Sequence, residues 1–191
     1  MTIPSVGEVV RLFRAALVAD LPAGTDDLRA LLLQLHRNNV TQWRREDATR
    51  RPGAGDATVA AAKRDIDALN ASRHGLIEAI DALLEAALDQ DPTAVPATES
   101  PGMVFDRLSV LAIRVHFTER AAADSADDGD RYRARLPLIE AHLTLLEAAL
   151  DGLFDDVRRG RKRFVPYQSL KLYGAPATTP SASSTAGSRP D

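Results

Sequence analysis

Residues 132–157 read YRARLPLIEAHLTLLEAALDGLFDDV, and the apolar positions in this stretch decide the fold. Tyr132, Leu136, Ile139, Leu143, Leu146, Leu150, Leu153 and Val157 alternate spacings of four and three, a heptad line sustained over about four heptads. Such a line buries one face of a long helix. With other helices in the same chain, bundle packing is its most economical partner and a two-chain coiled coil comes second. Pro137 within the line is expected to kink the helix or to mark a restart near its beginning.

Working outward, the rest of the chain also reads as helices separated by clear breaks. Ser5-Val6-Gly7-Glu8 is a capping box opening a first helix, carried by Val9, Val10, Phe13 and Leu17 and ended at Leu21-Pro22-Ala23-Gly24. Thr25 or Asp26 caps a second helix that runs to about Arg51, and Pro52-Gly53-Ala54-Gly55 breaks it. Asp56 caps a third, whose core line is Val59, Ala62, Ile66, Leu69, Ile77, Ile80, Leu84 and Ala87. Residues 90–99 hold Pro92 and Pro96 and form a loop, after which Ser100-Pro101-Gly102 opens a fourth helix with serine at the cap and proline in the first turn. The acidic run 124–130 is a solvated loop. No strand-like alternation reaches useful length. Residues 1–174 are thus expected to form one all-α bundle of about five helices, followed by a disordered Pro/Ser/Thr/Ala-rich tail, 175–191.

Composition agrees with this class and excludes several others. Hydrophobic content of 45% and charged content of 27% are globular values, and only 5% aromatic residues beside much alanine and leucine favours helix over sheet. A formal net charge of -3 supplies no global positive field for nucleic acid. The chain has 0 cysteines, which removes disulfides, thiolate chemistry and cysteine-ligated zinc. No secretory leader and no uninterrupted apolar run of membrane-spanning length is visible, so a soluble cytoplasmic protein is expected.

The informative anomaly lies on the second helix. Leu28, Leu32 and Leu35 set a core-facing line that continues, at ~100° per residue, to Asn39, Trp43, Glu46 and Arg50, with His36 and Asp47 on its shoulder. Burying carboxylates and guanidinium groups costs several kcal/mol unless they are paired, so a stripe meant only for packing would not carry them. On the third helix Asn70 and Arg73 lie within ~40° of the core line, with Lys63 and Asp81 near 60°. The fourth helix is apolar on opposite sides yet carries Asp106, Arg107 and Arg114, which need partners. Asp67 with Arg73, or Asp106 with Arg107, can serve as structural ion pairs. A lined pocket between the three helices is the alternative.

Arginine fixes sulfate, phosphate or carboxylate by paired hydrogen bonds, and a desolvated carboxyl or imidazole can move a proton near neutrality. His36, Glu46, Asp47 and Asp106 are therefore the candidate proton-transfer groups. Asn39, Trp43, Arg50, Lys63, Asn70, Arg73 and Arg107 are the candidate substrate contacts. The helix start at Ser100-Pro101-Gly102 adds a natural anion site, weakened by the neighbouring Glu99. Metal binding is disfavoured, because the Glu-x-x-His pairs of di-iron bundles are missing and the arginines repel a cation. No cofactor motif, phosphate loop or nucleophile elbow is present. Tyr167 and Lys171, with Gln168 and Tyr173, either fold back to close the pocket or belong to a solvated basic linker.

Several segments resemble the bacterial family known as domain of unknown function 4254. They are His36 to Asp47 with Arg50, Lys63-Arg64-Asp65-Ile66-Asp67 to Asp81, Glu99-Ser100-Pro101-Gly102, Asp106 to Leu111, and Tyr167-Gln168 with Lys171 and Tyr173. Pro137 and the low-complexity tail depart from the pattern. The resemblance implies an all-α fold and an association with glycosyltransferases of surface polysaccharide synthesis, without a settled activity. Two functions are expected to compete. One is a metal-independent small-molecule enzyme, or the substrate-binding subunit of one, that expels sulfate or phosphate from an anionic substrate by elimination or cyclisation. The other is a non-catalytic binding or scaffold protein associated with those glycosyltransferases, and in either case a homo- or hetero-oligomer is expected.

Overall fold

In the computed structural model five helices follow one another: α1 (Val6–Ala16), α2 (Asp27–Thr49), α3 (Asp56–Ala87), α4 (Pro101–Asp124) and α5 (Gly129–Arg158). The structure describes residues 3–22, 27–50, 55–124 and 128–169. The expected caps Thr25 and Asp26, the break at 51–54, and the tail with Lys171 and Tyr173 lie outside the described residues.

α1 starts where its capping box places it. The Ser5 hydroxyl accepts from the Glu8 N–H, and the Glu8 carboxylate accepts from the Ser5 N–H at 2.8 Å. The helix ends at Ala16, earlier than expected, because burial ends with Phe13 and Val18 is already 76% exposed. α3 also departs from its expected core line. Ala62, Ile77, Ile80 and Leu84 are buried, but Val59 and Ala87 are exposed. Residues 56–61 of its first turns are exposed, and burial begins at Ala62. Its cap is Gly55, which offers no side-chain bond, and not Asp56.

α4 is the axis of the bundle and packs against α1, α2, α3 and α5, which is why it is apolar on opposite sides. Along α5 the heptad line faces this core: Leu143, Leu150 and Val157 are buried, with Leu136, Ile139, Leu146 and Leu153 half-buried between and before them. The helix passes through Pro137 without interruption. It ends in a Schellman turn, in which Gly160 (φ 65°) donates to the Val157 carbonyl and Arg161 to that of Asp156.

Two short strands that the sequence did not announce, β1 (Val95–Pro96) and β2 (Lys162–Arg163), pair in parallel. They fasten the loop before α4 to the segment after α5. Beyond them a strap, residues 164–169, returns along α3 and is held by its main chain. The N–H groups of Phe164 and Tyr167 donate to Gln90 at 2.7 Å and to Asp81 at 2.9 Å, and that of Ser169 donates to Glu78. Among the described residues no helix is long and apolar enough to cross a membrane.

Candidate functional site

Where α2 turns polar it diverges from pure packing and leaves a cleft of about 280 Å³ against α4, lined by Asn39, Trp43, Glu46, Asp47, Arg50, Arg73 and Arg114 among others. On the other side of α4 a cleft of about 570 Å³ opens toward α5, with an apolar floor of Val110, Leu111, Leu145, Leu146 and Ala149. Arg73, Arg107 and Arg114 border this second cleft, together with His142 and a single carboxylate, Asp106. Arg73 and Arg114 line both clefts and so form the ridge between them.

The ridge is anchored from inside the bundle. Arg73 holds Asp106 with both arms of its guanidinium, Nε at 2.7 Å from Oδ1 and Nη2 on Oδ2. Asp106 is only 1% exposed, and its Oδ1 also accepts from the Asn39 side-chain amide at 2.9 Å. The same Asn39 amide donates to Ser109 Oγ at 3.1 Å, and Ser109 in turn meets His36 Nδ1 at 2.8 Å. A connected polar network thus runs from the cleft wall to the core between α2 and α4. Outside it, Arg107 pairs with Glu99, Arg50 with Glu46 and Arg45 with Asp65. The pairs expected from spacing, Asp67 with Arg73 and Asp106 with Arg107, are replaced by these.

His36 ends this network in an apolar slot. It is fully buried, lines neither cleft, and lies flat on Phe13 of α1 with ring centroids 4.8 Å apart. Its Nε2 has no hydrogen-bond partner among the described residues. Burial lowers its pKa to about 4, opposed only by the Phe13 carbonyl. The expectation that His36 moves a proton in the pocket is therefore corrected: the ring is a neutral core group. A depressed histidine pKa stabilises the fold fully above the unfolded value of about 6.5, and that contribution is lost as pH falls through the folded value. Denaturant titrations of the wild type from pH 7 to 4 should lose about 3 kcal/mol from this source. His36→Gln should flatten the slope between pH 6.5 and 5. An unchanged slope in that variant would show that other groups govern it.

The start of α4 departs from expectation in an equally physical way. Its expected anion is supplied by the chain itself. Asp81 of α3 is fully buried and accepts from the Gly102 N–H at 2.7 Å and, through its other oxygen, from Tyr167. Met103 N–H donates to Ser100 Oγ, Val104 N–H to the Ser100 carbonyl, and Pro101 has none, so the first turn is fully satisfied. Only glycine fits at 102, because a Cβ there would lie 2.8 Å from the Ile77 carbonyl oxygen and 2.9 Å from the Asp81 carboxylate. Burial raises the Asp81 pKa, and the hydrogen bonds from Ser100, Tyr167 and Gly102 oppose it.

The remaining candidates divide. Asn39, Trp43, Glu46, Asp47, Arg50 and Arg73 share the cleft between α2 and α4, while Asp106 and Arg107 line the neighbouring one. Trp43 is half-buried and stacked on Phe117 at 5.6 Å. Lys63 is exposed and Asn70 half-buried on α3, and neither lines these two clefts. Tyr167 does fold back, stacking on His74 with its hydroxyl 2.5 Å from Nδ1, but it covers α3 and closes neither cleft. Sequence reasoning missed His142 and Ser109, because each gains its role from a neighbouring helix. Among the described residues no group of three or more His, Cys, Asp or Glu side chains is placed to hold a metal ion.

No curated protein and no solved structure matches the chain. A family model described as "Protein of unknown function (DUF4254)" matches residues 29–165, a span that contains every residue of both clefts. The chain belongs to this DUF4254 family.

Proposed function

We propose that this protein binds a small anionic molecule, bearing sulfate, phosphate or carboxylate, on the ridge formed by Arg73 of α3 and Arg114 of α4. The observation that carries this reading is the placement of Arg73 and Arg114 in both clefts of a chain whose net charge is -3. Arg73 is already committed to Asp106 through Nε and Nη2, which leaves Nη1 for a ligand. Arg114 is exposed and makes no ion pair with the described residues. It is the natural recognition group, and the indole of Trp43 supplies an apolar wall nearby.

Two of the three carboxylates around the clefts are engaged, Asp106 by Arg73 and Glu46 by Arg50. This favours a binding role, such as recognition of a nucleotide-sugar or phosphate head group alongside a glycosyltransferase. A second reading, elimination or cyclisation that expels the bound sulfate or phosphate, is favoured by Glu46 and Asp47 standing in the same cleft as Arg114. Isothermal titration with inorganic phosphate, sulfate and a nucleoside diphosphate tests the ridge. Arg114→Gln is expected to weaken binding about 10- to 100-fold, the value of a charge-assisted hydrogen bond, with thermal stability unchanged. Equal affinity of Arg114→Gln and wild type, or no binding of any of the three anions, overturns the proposal. If a turnover assay exists, its loss in Glu46→Gln with retained binding selects the second reading.

A further inference from the structure

The outward side of α5 carries a second heptad line that the bundle does not use. Ala134, Leu138, Ala141, Leu145, Ala148 and Gly152 follow one another at alternating spacings of four and three. All are exposed, with Leu138 at 61% and Leu145 at 68%, and no atom stands within 4 Å of where a Gly152 Cβ would be. Solvated helix faces rarely hold this pattern, because each exposed leucine forgoes about 1.5–3 kcal/mol of burial. Small residues alternating with leucine along such a line let two helix axes approach closely, with each leucine seated over an alanine.

We propose that two copies of this chain pair through this face, α5 against α5, antiparallel about a twofold axis. The residue order selects the direction. In the antiparallel register centred on this line, Leu138 meets Ala148 of the second copy, Ala141 meets Leu145, and Ala134 meets Gly152, so every layer sets large against small or small against small. The next positions on the same line are Arg131 at one end and Asp155 at the other. Antiparallel pairing brings each Arg131 to an Asp155 of the second copy. Parallel pairing would instead stack arginine on arginine, aspartate on aspartate, and leucine on leucine. Among the described residues Asp155 makes only long side-chain contacts, to Arg158 at 3.5 Å and Arg159 at 3.9 Å, and its side chain is 58% exposed. The paired surface is about 36 Å long from Arg131 to Asp155 at the rise of an α-helix. Leu145 belongs both to this line and to the cleft between α4 and α5, so the second copy's helix lies along the open side of that cleft.

Sedimentation of the full chain should give about twice 20.6 kDa across the micromolar range. Leu138→Lys combined with Leu145→Lys should give a monomer with unchanged helical circular dichroism. Direction is read by cysteine pairing, which is clean because the chain has 0 cysteines of its own. Ala134→Cys and Gly152→Cys proteins, mixed and oxidised, should yield the mixed disulfide in excess over both self-disulfides. A monomeric wild type, a dimer unaffected by the double lysine variant, or self-disulfides alone would each overturn the proposal.

Discussion

Arg73→Met is expected to destabilise the protein by about 3–5 kcal/mol, because it strands the carboxylate of Asp106 in the core. Asp106 is 1% exposed and, among the described residues, would keep only the Asn39 amide to offset its charge. Removing one partner of a buried ion pair costs far more than removing both. Arg73→Met with Asp106→Leu should therefore recover most of the loss, and urea denaturation of the two single variants and the double closes the cycle. Additive losses would mean that the two groups act independently. The outcome also bears on the proposed ridge. Arg73 is first of all a structural cation, whereas Arg114 stands on the same ridge without that burden and reports ligand binding alone.

Asp81→Ala should be comparably damaging, by about 3–5 kcal/mol, through a different route. It leaves the buried N–H of Gly102, the Tyr167 N–H and the Ser100 hydroxyl without an acceptor, each a loss of about 1–3 kcal/mol. Part of this is returned because a desolvated charge disappears. Asp81→Asn keeps one carbonyl oxygen but turns an amide toward donors, and should fall between the two. Gly102→Ala tests the same junction sterically, since its Cβ would meet backbone at Ile77 rather than a side chain that can swing away. Thermal melts ranking Asp81→Ala below Asp81→Asn, both well below wild type, are the expected result. An Asp81→Ala protein as stable as wild type would show that the junction contributes nothing.

The parts of this molecule that were legible in its sequence are those set by local periodicity. The capping box at Ser5 and the heptad line of α5 required no knowledge of neighbours. The polar turn of α2 at Asn39, Trp43 and Glu46 did mark a cleft, because hydrophobic patterning fails where a helix stops packing. What stayed hidden was pairing across helices. Arg73 has Asp67 close in sequence but chooses Asp106, 33 residues away, since the register between α3 and α4 and not spacing sets the choice. His36 shares a helix shoulder with Asp47, yet its surroundings are decided by Phe13 of α1. Asp81 had no visible purpose on a wheel of α3 alone. Its purpose is the first turn of a different helix.

The strap along α3 also imposes a timetable on the newborn chain. Its acceptors are made long before its donors: Tyr167 follows Asp81 by 86 residues. At about 5–20 residues per second of synthesis, the second oxygen of Asp81 waits on the order of 5–15 s for the amide that satisfies it. Until then, Asp81 has at most the Gly102 N–H and the Ser100 hydroxyl as donors. The last described stretch of the polypeptide is thus the piece that completes the interior.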